Sequence, residues 1–155
     1  MQLTSSAFSD GGKIPQQNVM PGAGGKNQSL PLAWANAPAG TKSFALTIID
    51  PHPVAQNWVH WLVADIPGDI AALAEGASGK KMPAGAVELK NSWGEAAYGG
   101  PQPPKGTGDH PYVVTLYALN AVKLDLKPTA GWPDLKKAME GKILGTATIT
   151  GHYGR

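Results

Sequence analysis

The stretch Ser43-Phe44-Ala45-Leu46-Thr47-Ile48-Ile49-Asp50 decides the fold. Phe44, Leu46 and Ile48 fall on one face of an extended chain, and Ala45, Thr47 and Ile49 on the other. Both faces are largely apolar, which predicts a central strand covered on two sides. Pro51 and Pro53 stop it, because proline has no N–H for a sheet ladder. A second strand is expected from Trp58 to Asp65, with Val59, Trp61 and Val63 on one face and His60, Leu62 and Ala64 on the other. Pro67 and Gly68 end it, and a short helical turn is expected at Asp69 to Ala74.

Working outward, two further strands are expected, from Tyr112 to Leu119 and from Ile143 to Thr150. Between them Pro133 to Glu140 reads as one helix. Pro133 suits the first turn, Asp134 complements the helix N-terminus, and Gly141 suits the stop. Leu135, Ala138 and Met139 form its apolar stripe. Towards the N-terminus, Gly11 to Leu30 reads as an irregular excursion carrying one short strand. Lys90 to His110 has little strand or helix signal, yet it holds Trp93, Tyr98 and Gly99-Gly100-Pro101-Gln102-Pro103-Pro104. Aromatics beside rigid prolines argue for an ordered functional loop.

Composition agrees with a compact, turn-rich β domain. The chain has 155 residues, 20 Gly and 14 Pro, with 42% hydrophobic and 15% charged residues. Its length suits one domain, residues 1–155. The net charge of +2 comes from 13 basic and 11 acidic residues without clustering, which argues against nucleic acid as a partner. The absence of cysteine removes disulfides, thiolate nucleophiles and cysteine-ligated metals. The first residues have no basic-then-apolar leader pattern, so the expected location is the cytoplasm. No stretch approaches the ~18 apolar residues of a membrane span.

If the strand ending at Asp50 pairs antiparallel with the one beginning near Trp58, Asp50 and His60 meet at one sheet edge. The long loop then delivers His110, with Tyr112 two residues on and on the same face. Imidazole N–H and phenol O–H groups are donors suited to a small oxyanion, phosphate or carboxylate. Backbone N–H groups near Gly99 and Gly100 add to them. Asp50 fits as the acceptor that orients a histidine and favours its imidazolium form, or alternatively as a protonated acid that donates in the complex.

Across residues 3–155 the sequence resembles the phosphatidylethanolamine-binding protein family, in its bacterial and archaeal, Raf kinase inhibitor-like branch. The fragments that carry the resemblance run in order. They are Pro31-Leu32-Ala33-Trp34, Ala37-Pro38-Ala39-Gly40-Thr41-Lys42-Ser43, Asp50-Pro51 and Val59-His60-Trp61, then Tyr98 through His110 and Gly151-His152-Tyr153-Gly154-Arg155. The resemblance implies a mostly-β fold of two packed antiparallel sheets with a short C-terminal helix, and a small anion pocket. It places pocket positions at Asp50, His60, Gly100, His110 and Tyr112, with Trp58 at the opening and Pro103 in the same loop. The family pattern Asp-Pro-Asp becomes Asp50-Pro51-His52 here. A carboxylate is thus replaced by His52, which counts as a further candidate if it faces inward. The family's His-Arg-Tyr becomes His110-Pro111-Tyr112.

Blander readings stand beside these. His60 as a core histidine, His110 and His52 as exposed loop residues and Asp50 as a turn-starting acid are the alternatives. Trp34, Trp61, Trp93 and Trp132 read as core or loop anchors rather than ligand contacts. His152 is expected to pack near the C-terminus. The leading expectation is a non-enzymatic binder of a small phosphate- or carboxylate-bearing ligand, without cofactor or metal. A kinase or protease inhibitor acting through the pocket rim is the alternative. An acid–base enzyme is weaker still, because no Ser or Cys nucleophile accompanies the Asp–His pair. Membrane association is expected to be weak at most, and a homodimer is implied by resemblance alone.

Overall fold

A computed structural model describes residues 1–155 in full. Eight strands and one helix follow one another as β1 (Gln2–Thr4), β2 (Leu32–Ala35), β3 (Ser43–Asp50), β4 (Trp58–Pro67), β5 (Ala72–Leu73), β6 (Val87–Leu89), β7 (His110–Leu119), α1 (Trp132–Met139) and β8 (Ile143–Tyr153). They form a five-stranded sheet in the order β6-β4-β3-β7-β8 and a three-stranded sheet in the order β1-β2-β5. Every pairing is antiparallel.

The two apolar faces of β3 explain the layers. Phe44, Leu46 and Ile48 join Val114 and Leu116 of β7 and meet Leu3, Leu32, Trp34 and Leu73 of the small sheet. Ala45, on the opposite face, joins Leu62, Ala64 and Leu119 and packs against Leu135 and Met139 of α1. The large sheet is therefore covered by the small sheet on one side and the helix on the other. The helix begins as expected: Asp134 accepts the Gly131 N–H at 2.9 Å, and Gly141 turns left-handed after it.

Three local expectations are corrected. Asp69–Ala74 contains no helical turn; Ala72 and Leu73 pair with Ala33 and Leu32 as the edge of the small sheet. The excursion from Gly11 to Leu30 holds two 3₁₀ turns, Gln16–Asn18 and Pro21–Ala23, and a single bridge between Lys13 and His152 in place of a strand. Pro15 and Pro21 open those turns, where the missing N–H costs nothing.

The third correction matters most. Ile48 pairs with Trp61, but Ile49 pairs with Val59, so His60 is skipped as a bulge. Beyond the bulge, Val59 joins Leu62 and Ala64 on the helix side. Strict alternation puts His60 on that side; the bulge turns it to the face of Trp61 and Tyr112 instead.

Candidate functional site

At one end of the large sheet, Asp50 closes β3, His60 stands near the start of β4, and His110 and Tyr112 open β7. The alternation of β3 and β7 puts Asp50, His110 and Tyr112 on the face that looks towards the small sheet. The bulge adds His60, whose ring meets Tyr112 edge-on with centroids 4.9 Å apart. These four line a cavity of about 510 Å³ with Val54, Ala55 and Gln56 of the β3–β4 loop, Trp58, Trp93, and Gln102, Pro103 and Pro104 of the long loop.

The loop that precedes β7 has no regular structure, yet it is tied down along its length. Asn91 Oδ1 accepts the N–H groups of Trp93 and Glu95. Ser92 and Val59 exchange two hydrogen bonds. Gly99 N–H donates to the His60 carbonyl at 2.9 Å, and the His60 Nδ1–H donates to the Gly99 carbonyl at 2.7 Å. The buried Tyr98 hydroxyl donates to the Asn18 carbonyl. These bonds replace a ladder and fix the loop against β4 and the N-terminal turns.

Asp50 and His110 form a buried pair. His110 Nδ1 lies 2.7 Å from Asp50 Oδ2, with the two side chains 1% and 3% exposed. Asp50 Oδ1 accepts the His52 N–H at 2.9 Å, a local turn bond that starts the rim loop. His110 Nε2 meets Thr107 Oγ1 at 2.8 Å. Burial lowers the His60 pKa to about 4, overriding the opposing pull of the Gly99 carbonyl and of Asp50. Burial likewise raises the Tyr112 phenol, reinforced by Asp50, so this hydroxyl stays protonated and able to donate.

Not every sequence candidate reaches the cavity wall. Asp50, Trp58, His60, Pro103, His110 and Tyr112 do. His52 stacks flat behind His110, centroids 3.7 Å apart and planes 10° apart, and its Nδ1 accepts the Val54 N–H. Gly100 is a packing residue: its N–H donates to Asn27 Oδ1 at 2.7 Å, and a Cβ there would collide with the Asn18 carbonyl and Val19. His152 stays outside the cavity, beside the Lys13 bridge.

Trp93 packs over Gly99 within the loop, in keeping with its reading as an anchor, and also reaches the cleft. It lines the cavity, 39% exposed, and meets Trp58 at 5.4 Å and His60 at 5.2 Å, both edge-on. Gln102 also lines the cavity and was not among the sequence candidates. The available signal was an aromatic in the Pro/Gly segment that delivers His110, but nothing in the order of residues says which way such a ring turns.

A family model described as phosphatidylethanolamine-binding protein matches residues 4–154. A protein of Methanothermobacter thermautotrophicus designated UPF0098 is 40% identical over all of this chain and 99% of its own length. A Mycobacterium tuberculosis relative, 37% identical over 99% of this chain and 72% of its own, is named a putative lipoprotein, LppC. The crystal structure of Escherichia coli YbcL superimposes with a TM-score of 0.93 at 34% identity, covering 99% of this chain and 98% of that one. No helix of the present chain is long and apolar enough to cross a membrane.

Proposed function

Because the chain belongs to the phosphatidylethanolamine-binding protein family, we propose that its cleft binds a small phosphate-bearing molecule. The observation that carries this reading is the convergence of Asp50, His60, His110 and Tyr112 from three adjacent strands on one cavity. The Tyr112 hydroxyl and the Gln102 amide are donors without a protein acceptor and suit phosphate oxygens. Trp58 and Trp93 stand at right angles at the opening and offer apolar cover to whatever the phosphate is attached to. The cavity is several times larger than a bare phosphate, which favours an esterified guest. No Ser, Thr or Cys lines it, and Asp50 and His110 are bonded to each other, so we read the cleft as a binding site.

Titration with methyl phosphate, followed by calorimetry and by the histidine ring resonances, tests this directly. Saturable shifts at His60 and His110 are expected. Their absence up to millimolar ligand removes the proposal.

A second reading rests on the rim. Val54, Trp58 and Trp93 are 53%, 38% and 39% exposed, which is unusual for large apolar side chains so close together. A kinase or protease docking there would use those three residues and would remain bound in saturating methyl phosphate. A partner displaced by methyl phosphate would instead occupy the cleft itself.

A further inference from the structure

Apart from the Tyr112 hydroxyl, the hydrogens that the buried walls of the cleft could offer are already committed. The His60 Nδ1–H faces the Gly99 carbonyl, which can only accept. Thr107 gives its single hydroxyl hydrogen to the Pro104 carbonyl at 2.7 Å. At His110 Nε2 the Thr107 oxygen therefore accepts, so Nε2 carries a hydrogen and spends it there. On the other side of the ring, Nδ1 shares one proton with Asp50 Oδ2. Whichever atom holds that proton, the Asp50–His110 pair is electrically neutral and directs no N–H into the cleft. The Gly100 N–H is taken by Asn27. Neither Lys nor Arg lines the wall; Arg155, the cation within electrostatic reach of Tyr112, donates to the Pro103 and Gly22 carbonyls.

What a guest meets is therefore a mixed set. Tyr112 and Gln102 donate, while His60 Nε2, the ring nitrogen with no protein partner, presents a lone pair. A fully ionised oxyanion would set oxygen lone pairs against that nitrogen and against the Asp50 carboxyl. The groups facing His60 do not supply a remedy. Asp50 comes from β3, His110 and Tyr112 from β7, and Trp93 and the Gly99 and Gly100 backbone from the long loop, with His52 stacked behind His110; Asp50 and the two glycine backbones pull towards a charged ring, but burial outweighs them. Burial also opposes a second proton on the His60 ring itself.

We propose that the cleft selects a guest carrying its own acidic hydrogen, a singly protonated phosphate monoester, and rejects a sulfate ester of the same shape. The guest's P–O–H donates to His60 Nε2 while its other oxygens accept from Tyr112 and Gln102. This rests on the phosphate-binding reading above and adds the protonation state to it. A sulfate monoester has no proton to give in the working pH range, so it leaves Nε2 unanswered, a mismatch that separates the two esters by about tenfold or more.

The unmodified protein tests this by calorimetry with methyl phosphate and methyl sulfate, on either side of the phosphomonoester second pKa of ~6. Methyl phosphate is expected to bind at least about tenfold tighter than methyl sulfate near pH ~5.5. Above its second pKa it should weaken about tenfold per pH unit and take up one proton per molecule bound. The His60 ring nitrogens should keep neutral-imidazole shifts in the complex. Equal affinity for the two esters, or an imidazolium at His60 in the complex, overturns the inference and leaves phosphate binding standing. If neither ester binds, the proposed function fails and the inference fails with it.

Discussion

Acidification should cost this protein a separable share of its stability at His60. In the unfolded chain an imidazole titrates near 6.5, whereas burial against Tyr112 and Trp93 holds the native ring neutral down to about 4. Between those values the unfolded state binds a proton that the native state does not. Stability therefore falls as pH falls through 6.5, and the loss levels off near 4, where the native ring also protonates. At roughly 1.4 kcal/mol per unit the gap is worth on the order of 3 kcal/mol. For a domain of this size that lowers the melting temperature by about 6–12 °C. The comparison that isolates His60 is His60→Asn. Its Nδ2 can keep the bond to the Gly99 carbonyl, yet the side chain does not titrate. Urea melts followed by tryptophan fluorescence at a series of pH values should diverge, with wild type losing about 3 kcal/mol more than His60→Asn between neutrality and pH ~4. Parallel curves would refute the reasoning, because other acid-titrating groups are common to both proteins.

Three further outcomes follow from the same contacts. Asp50→Asn keeps the shape but removes the carboxylate from a fully buried pair, and should cost about 3 kcal/mol in chemical denaturation, with most of the loss absent in a His110→Gln background. Gly100→Ala drives a methyl into the Asn18 carbonyl and the Val19 backbone; a loss of about 1–3 kcal/mol is expected by urea unfolding, with an unchanged m-value. Tyr98→Phe strips the donor from the same Asn18 carbonyl and should cost about 1–3 kcal/mol, detected as faster amide exchange in the Tyr98–Gly100 segment as well as a lower melting temperature.

Much of the scaffold could be read from the order of residues. The double-faced run of β3 announces a strand covered twice, and its two faces are indeed taken by the small sheet and by α1. The helix was legible from Pro133, Asp134 and Gly141 because caps act within a few residues. The small sheet was not legible in full: β1 and β5 have three and two residues, too few for any alternation to register. The resemblance supplied the two-sheet architecture that those strands could not announce. Nor does the sequence place β3 beside β7 in the large sheet; that neighbour lies more than sixty residues away along the chain.

Chemical identity and local periodicity were the sequence's to determine: which side chains could donate, accept or titrate, and which segments run extended. Asp50, His60, His110 and Tyr112 were nameable on those grounds. Where each of them points, and what remains of its bonding capacity, belonged to the tertiary structure. A skipped residue in β4 turned His60 about, carbonyls from Gly99 and Pro104 absorbed hydrogens that the bare sequence leaves free, and a distant asparagine claimed the Gly100 N–H. The physical reason is that a hydrogen bond is satisfied by proximity in space, and the partners here lie between three and seventy-three residues apart along the chain.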